Sequence, residues 1–231
     1  NENNSISNET TNILAPLLSV LSCKKTWIVS IAGGLLFTPI TIYGNPWGPT
    51  FLRLKYGLSP ESAGEIISLI YVGWAIGGPL AGTVANYIGR KATITLSSII
   101  TTIIVSIIIY VDNLGYSQLM LLHLFFGIFN TGLIACYTAA AELNPPSSAG
   151  SAIAFSNGIS VAIGTLILGP ITGIWLTKLS QSSPVIGNIP GITLSTEHFQ
   201  LVFALIIFSL ISAIILSLFA TETYARKKST K

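Results

Sequence analysis

The chain has 231 residues, of which 51% are hydrophobic and only 8% are charged. Soluble domains carry about 25% charged residues, so a water-solvated surface is excluded and lipid is the solvent that fits this composition. The formal charge of +3 is small and sits mainly near the chain ends, which argues against nucleic acid as a partner.

The ends of the chain differ from its middle in composition. Residues 1–24 are rich in Asn, Ser, Thr and Glu, which predicts a flexible cytoplasmic linker. The chain begins with Asn1 rather than Met, so we expect either a fragment of a longer protein or a processed chain. Residues 25–221 hold the apolar segments and predict one transmembrane bundle, and residues 222–231 predict a basic cytoplasmic tail.

Apolar segments long enough to cross a bilayer recur along the bundle. A helix needs about 20 apolar residues to cross the hydrocarbon core. Each segment is continuously apolar without the alternation of a membrane strand, and helices satisfy their own backbone hydrogen bonds in lipid. The predicted spans, numbered first to sixth, cover residues 26–52, 65–87, 92–111, 119–142, 151–179 and 199–220.

The basic residues predict the orientation of these spans. Lys and Arg concentrate on the cytoplasmic side of membrane proteins. An inside N-terminus places Lys24, Lys25, Arg90, Lys91, Arg226, Lys227, Lys228 and Lys231 in the cytoplasm. The outside then receives only Arg53, Lys55 and Lys178. We therefore expect both termini to be cytoplasmic.

The first span is interrupted by the run Gly-Asn-Pro-Trp-Gly-Pro at residues 44–49. Proline removes a backbone donor, and the carbonyls freed in a membrane must find partners or line a wet cavity. An interrupted helix with converging polar groups indicates a transport site. We predict substrate binding by Thr41, Tyr43, Asn45 and Trp47. The alternatives are a simple proline kink and an aromatic belt at the membrane surface.

The connection between the second and third spans reads Gly82-Thr-Val-Ala-Asn86-Tyr-Ile-Gly89-Arg90-Lys91. It resembles the signature of the major facilitator superfamily, G-x-x-x-D-x-x-G-R-K/R, and departs from it at Asn86, where the family usually has Asp. The resemblance implies a gating motif, a tight turn whose charges dock on neighbouring helix ends. Asn can still cap a helix, but it adds no ionic contribution.

Polar side chains in the other spans give further candidates. His123, Asn130 and Tyr137 follow one another at seven-residue spacing on one stripe of the fourth span, and Asn157 lies in the fifth. We predict that Asn130, Tyr137 and Asn157 bind substrate and that His123 and Glu65 carry protons. The alternatives are a hydrated histidine near the outer end of its span, a hydrogen bond between helices, and a helix-capping Glu65.

The spans differ in character, and this difference repeats. The third and sixth spans contain neither Gly nor Pro, as expected for helices that face lipid, whereas the other four carry the glycines, the prolines and most amide side chains. The pattern indicates two helix triplets, and inverted triplets build many secondary transporters. The predicted fold is an all-α membrane protein of six transmembrane helices in two three-helix repeats.

The resemblance to the major facilitator superfamily extends from Lys25 to the end of the chain, through runs such as GWAIGGPLAG. It implies the C-terminal half of a transporter, with an N-terminal half, membrane lipid and a small-molecule substrate as partners. Within the superfamily the chain is similar to phagosomal-transporter-like permeases of intracellular bacteria, which import amino acids or other small metabolites, usually with protons. The bacterial inner membrane is then the expected location.

The sequence holds no Walker-type loop, no nucleophile–base arrangement and no metal-ligand cluster, so we expect neither an enzyme nor a cofactor. The expected function is proton-coupled secondary transport of a small polar or anionic solute by alternating access. Two alternatives stay open. The chain could be an autonomous six-helix protein that transports as a homodimer, or a membrane protein without transport activity.

Overall fold

The computed structural model describes residues 14–181 and 194–223, and every regular element among them is helical. Six helical stretches are long and apolar enough to cross a membrane: Lys24–Tyr56, Pro60–Ile88, Arg90–Tyr110, Tyr116–Glu142, Pro146–Ser180 and Thr196–Phe219. The six predicted spans and the all-α fold are confirmed, and the ends of each span shift by only a few residues.

Three of the six spans are not single α-helices. The first consists of Lys24–Pro39, a π-helical segment Ile40–Trp47, and Gly48–Tyr56. The fourth is divided into Tyr116–Asn130 and Leu133–Glu142. The fifth consists of a 3-10 turn Pro146–Ser148, Ala149–Val161, a second π-helical segment Ala162–Leu168, and Gly169–Gln181. These interrupted spans belong to the group in which the sequence analysis found the glycines and prolines.

Local chemistry sets the ends of the spans. Gly57, at φ +65°, ends the first span in the left-handed conformation that glycine adopts easily. The second span starts three residues later at Pro60, and the side chain of the preceding Ser59 accepts a hydrogen bond from the Ser62 N–H. Because the connection is so short, the first two spans run antiparallel as neighbours.

Residues 14–22, predicted as part of the flexible linker, form a helix instead (Leu14–Ser22). The segment is almost wholly apolar, and its Val20 is completely buried in a cluster with Val29 of the first span and Ala152 of the fifth. Burial of this side chain favours the ordered helix. Residues 1–13 and 224–231 lie outside the described residues.

The second and fourth spans approach each other closely at glycines. A Cβ atom at Gly127 would lie 2.1 Å from the carbonyl oxygen of Ile70, and one at Gly73 would lie 2.3 Å from the carbonyl oxygen of Leu124. Small residues allow such backbone contact between helices in a membrane, where apolar burial gives little driving force. The glycines therefore position the second span on the fourth.

An aromatic cluster forms the centre of the bundle. Its members are Tyr43, Phe51, Phe126, Phe199 and Phe203, all buried. The rings of Phe51 and Phe203 lie 5.3 Å apart in an edge-to-face arrangement, a favoured geometry for aromatic pairs. The cluster joins the first, fourth and sixth spans.

The outward faces of the spans differ in chemistry. The third and sixth spans expose large apolar side chains, among them Leu96, Ile99, Ile103, Leu201, Phe208, Ile211 and Ile215. The second and fifth spans are the least buried, and among their exposed residues are the small or polar Ser68, Ala75, Gly82, Thr83, Asn86, Ala154, Asn157, Gly158 and Thr165. The first set suits lipid, and the second suits close contact with protein or water.

We expect Gly127→Ala to destabilise the bundle, because its Cβ would collide with the backbone of the second span. The expected loss in free energy of unfolding is about 1–3 kcal/mol, as for other overpacked sites. Gly82→Ala is the matched control, since nothing lies within 4 Å of its added Cβ. Thermal unfolding in detergent, followed by tryptophan fluorescence, measures both variants. Equal melting temperatures would contradict this description of the helix contact.

Candidate functional site

The π-helical segment of the first span leaves a carbonyl without a donor in its own helix. In this segment the Gly48 N–H donates to the carbonyl of Tyr43, five residues earlier. The residue that would donate to Gly44 in the same register is Pro49, which has no N–H. The hydroxyl of Tyr71, in the second span, donates to the Gly44 carbonyl over 3.2 Å. A side chain of a neighbouring span thus completes the interrupted backbone.

A second carbonyl of the first span is bound by the fourth span. The N–H of Ile40 donates to the Phe37 carbonyl. The neighbouring Leu36 carbonyl accepts from the amide nitrogen of Asn130 over 2.8 Å. Asn130 is completely buried, and its Oδ1 has no hydrogen-bond partner within the part of the chain that the structure describes. The amide therefore stabilises the helix break and keeps one acceptor free.

Trp74 of the second span was not selected from the sequence. Its ring packs 6.1 Å from that of Phe37, next to the carbonyl that Asn130 binds. Its indole nitrogen is buried and, among the described residues, has no acceptor. Only the packing of the second span against the first brings this donor to the break.

The two π-helical segments meet inside the bundle. A Cβ atom at Gly164, in the fifth span, would lie 2.6 Å from the hydroxyl oxygen of Thr41 in the first. The Thr41 hydroxyl donates to the carbonyl of Thr38, and the residue is half-buried. The helix breaks of the first and fifth spans are therefore in direct contact.

The remaining predicted substrate-binding residues lie nearer the surface. Asn45 is exposed, and Trp47 is half-buried with its ring 6.1 Å from that of Phe199. The Tyr137 hydroxyl donates to Oδ1 of the exposed Asn157 over 3.1 Å, which bridges the fourth and fifth spans. The structure thus brings Tyr137 and Asn157 together.

Tyr43 of the aromatic cluster and His123 of the fourth span form a buried pair. The Tyr43 hydroxyl lies 2.8 Å from Nε2 of His123, and Nδ1 of the same ring lies 2.6 Å from the Leu119 carbonyl oxygen. A carbonyl only accepts, so Nδ1 carries the proton and Nε2 accepts from the tyrosine. A neutral imidazole satisfies both contacts. His123 is fully buried rather than hydrated, and the pair adjoins the aromatic cluster.

Glu65 lies at the exposed start of the second span, at the end of the bundle opposite the motif. Its carboxylate accepts a hydrogen bond from the hydroxyl of Tyr116, at the start of the fourth span. The contact connects two spans and leaves the carboxylate at the surface, where solvent protons reach it.

The gating motif forms a network of charges and amides. Arg90 is only 7% exposed, and its guanidinium donates to both carboxylate oxygens of Glu142, at the end of the fourth span, over 3.0 and 3.3 Å. It also donates to Oδ1 of Asn86 over 2.8 Å. Asn86 therefore acts as a neutral acceptor for the arginine. Gly82 of the same motif is exposed and Lys91 is half-buried.

Glu222 completes this network, although the sequence analysis placed it in the basic tail. Its carboxylate accepts from the backbone N–H of Arg90 over 2.8 Å and of Lys91 over 3.1 Å. These are the first free amides of the third span, a favourable place for a negative charge. The Lys91 ammonium donates to the Leu218 carbonyl at the end of the sixth span. An acidic residue beside a basic run was the only sequence signal for this contact.

We expect Tyr71→Phe to destabilise the chain by about 1 kcal/mol, because the Gly44 carbonyl loses its donor. Tyr87→Phe is the control, since this side chain is 78% exposed and its expected effect is below about 0.5 kcal/mol. Chemical unfolding in detergent measures both. If the two substitutions have the same effect, the hydroxyl does not support the helix break.

We expect Gly89→Ala to destabilise the turn for two separable reasons. Gly89 has φ +96° and ψ 162°, a conformation that costs other residues about 1–3 kcal/mol. Its Cβ would also lie 2.3 Å from a Glu222 carboxylate oxygen. In a Glu222→Ala background only the first cost remains, so the effect of Gly89→Ala should shrink. A double-mutant cycle of unfolding free energies measures this coupling, and strictly additive effects would contradict the contact.

The sequence of the chain is similar to those of known proteins. The model of the Major Facilitator Superfamily matches residues 13–231. Glucose-6-phosphate exchangers of Xenopus tropicalis and Xenopus laevis are each 30% identical to the chain over 151 residues. Each match covers 63% of this chain and 30% of the relative, so the chain matches less than a third of the length of these relatives.

Proposed function

The chain belongs to the Major Facilitator Superfamily and spans the membrane several times, and on this premise we propose that it is one half of a secondary transporter for a small polar metabolite. An N-terminal six-helix half would complete it and allow alternating access. The observation that carries the proposal is the contact between two interrupted spans at Thr41 and Gly164. Interrupted helices that meet in the membrane are typical of transport sites.

The surface of the bundle supports a second half as the partner. The second and fifth spans are the least buried, and their exposed residues include small and amide-bearing ones beside large apolar ones such as Leu166 and Trp175. Tyr137 and Asn157 lie on this side of the molecule, with a hydroxyl and an amide available to a solute between the halves. The hydrogen bond between them uses only part of their hydrogen-bonding capacity, and leaving the rest unsatisfied in hydrocarbon would be costly.

The polar groups favour a solute without net charge. Asn45, Asn157 and Tyr137 offer amides and a hydroxyl, and Asn130 keeps a free acceptor. In the described spans, Lys and Arg occur only near the span ends. A sugar phosphate, the substrate named for the Xenopus exchangers, is bound best by such cations. An amino acid is therefore the preferred substrate class, and a small anionic solute the second.

We also propose that transport is coupled to protons and takes place in the bacterial inner membrane. Proton coupling is supported by Glu65, an exposed carboxylate at the end of the bundle opposite the motif. His123 stays a second candidate, and it would have to leave its hydrogen bond to Tyr43 in order to carry a proton. The basic residues favour cytoplasmic termini. The bacterial inner membrane is proposed only on the resemblance of the sequence to phagosomal-transporter-like permeases. The name of the Xenopus relatives favours exchange instead. The remaining alternatives are a homodimeric transporter and a membrane protein without transport activity.

Uptake into proteoliposomes tests the proposal. Vesicles contain either the chain alone or the chain co-expressed with a six-helix N-terminal half, and receive a radiolabelled amino acid mixture or glucose 6-phosphate. We expect amino acid uptake only with both halves, and faster uptake when the outside is acidic. Full-rate uptake by the chain alone would favour the homodimer. Acceleration by internal solute, without any effect of the pH gradient, would favour exchange, and no uptake in either case would refute transport.

In the complete transporter we expect Tyr137→Phe and Asn157→Ala to lower kcat/KM for uptake at least tenfold, about 1.4 kcal/mol. Both lose polar contacts on the face proposed to line the pathway. Tyr87→Phe, which removes an exposed hydroxyl at the motif end, is the matched control and should leave uptake unchanged. Unchanged uptake by Tyr137→Phe and Asn157→Ala would place the solute elsewhere.

Glu65→Gln should abolish the acceleration of uptake by external acid, while counterflow persists.

A further inference from the structure

A crevice of about 270 Å³ opens between the second and third spans. Leu80 and Val84 of the second span form one wall, and Leu96 and Ile100 of the third form the other. The floor is the region of the fourth span where its helix is divided, between Ile128 and Gly132. None of the residues proposed to bind substrate lines it.

The crevice exists because both walls pack mainly on the fourth span, while their contact with each other is confined to the region near the turn, where Ala85 and Ile94 share a buried cluster. A Cβ atom at Gly77 would lie 2.5 Å from the Ile128 carbonyl oxygen, so the second span touches the fourth there. The third span touches it where Gly132 meets the side chain of Ser97. The two walls diverge from the turn at Gly89, and the gap between them remains open to the outside of the bundle.

The lining has no polar group available to a ligand. Its three hydroxyls all donate to carbonyls: Thr93 to Gly89, Ser97 to Phe129, and Thr131 to Ile128. The remaining lining residues are Gly, Ala, Val, Leu, Ile and Phe. A polar solute or a headgroup would therefore lose its hydrogen bonds to water without replacement, whereas a methylene chain loses none.

The mouth of the crevice belongs to the surface that suits lipid. Leu80 is 50% exposed and Leu96 is 48% exposed, and Ile103 continues the same apolar surface along the third span. The small and polar residues Gly82 and Asn86 lie on the opposite face of the second span, since two residues correspond to about 200° of an α-helix. The crevice is thus separate from the side proposed for the other half.

The depth of the crevice matches one leaflet. Val84 precedes the end of the second span by four residues, and Ile100 follows the start of the third by ten. At a rise of 1.5 Å per residue these positions lie roughly 6 and 15 Å from the helix ends. Half of a hydrocarbon core of about 30 Å covers this range.

We propose that this crevice binds one acyl chain of a membrane phospholipid from the leaflet on the motif side. The acyl chain would cover the division of the fourth span, where the Ile128 and Phe129 carbonyls already accept from Thr131 and Ser97. Recognition involves only the acyl chain, because the lining holds no group for a headgroup.

Native mass spectrometry of the purified 231-residue chain tests the site. Leu96→Trp places an indole at the mouth of the crevice, and Ile103→Trp adds the same ring to the lipid-facing surface outside it. We expect the unmodified chain and Ile103→Trp to retain one phospholipid after detergent exchange, and Leu96→Trp to retain it at least tenfold less. Val84→Phe, on the other wall, should repeat this loss.

Melting temperatures in mixed micelles give a second readout that does not depend on retention. Palmitoyl-oleoyl phosphatidylglycerol and phosphatidylethanolamine should raise the melting temperature of the unmodified chain equally, and neither should raise that of Leu96→Trp. Equal lipid retention by all variants would overturn the proposal. So would stabilisation by one headgroup alone, or a chain dimer that Leu96→Trp dissociates, because the crevice would then hold something other than an acyl chain.

Discussion

The bundle depends on one constraint: a backbone carbonyl inside a membrane needs a donor, and the first span lacks several of its own. Prolines at positions 39, 46 and 49 remove N–H groups from the middle of this span. Tyr71 of the second span donates to the Gly44 carbonyl, which Pro49 cannot serve, and Asn130 of the fourth donates to the nearby Leu36 carbonyl. The helix that carries most predicted substrate contacts is therefore held in its broken form by its neighbours.

Polar contacts connect the spans at both ends of the bundle. At the motif end Arg90, Glu142 and Glu222 join the third, fourth and sixth spans. At the opposite end the Lys55 ammonium pairs with Asp112 at 3.3 Å and donates to the Ile109 carbonyl, which joins the first and third spans. Between these ends the spans pack through glycines and aromatic rings, together with the hydrogen bonds of Asn130 and Tyr71. Polar networks at the two ends and smooth packing between them would let the bundle move as one body against a second half.

Several features of the fold and of the motif could be predicted because they depend on local composition. Span length, the absence of Gly and Pro from the third and sixth spans, and the spacing of Gly82, Gly89 and Arg90 are all readable along the chain. The interruption of the first span is equally local, since proline lacks a donor in any context. Residues 14–22 were misjudged as linker, because the partner that buries Val20 is distant in sequence.

The sequence by itself determined the medium, the number of spans, the interrupted helix and the family, because apolar length, proline and glycine spacing act within one segment. Only the tertiary structure decided what each polar side chain does. In the structure His123 is hydrogen-bonded to Tyr43, and the Asn130 amide nitrogen donates to the Leu36 carbonyl. The Glu222 carboxylate accepts from the motif, and Trp74 packs beside the helix break. These partners lie up to 132 positions apart along the chain. Side-chain roles in a membrane depend on which spans pack together, and no local pattern encodes that choice.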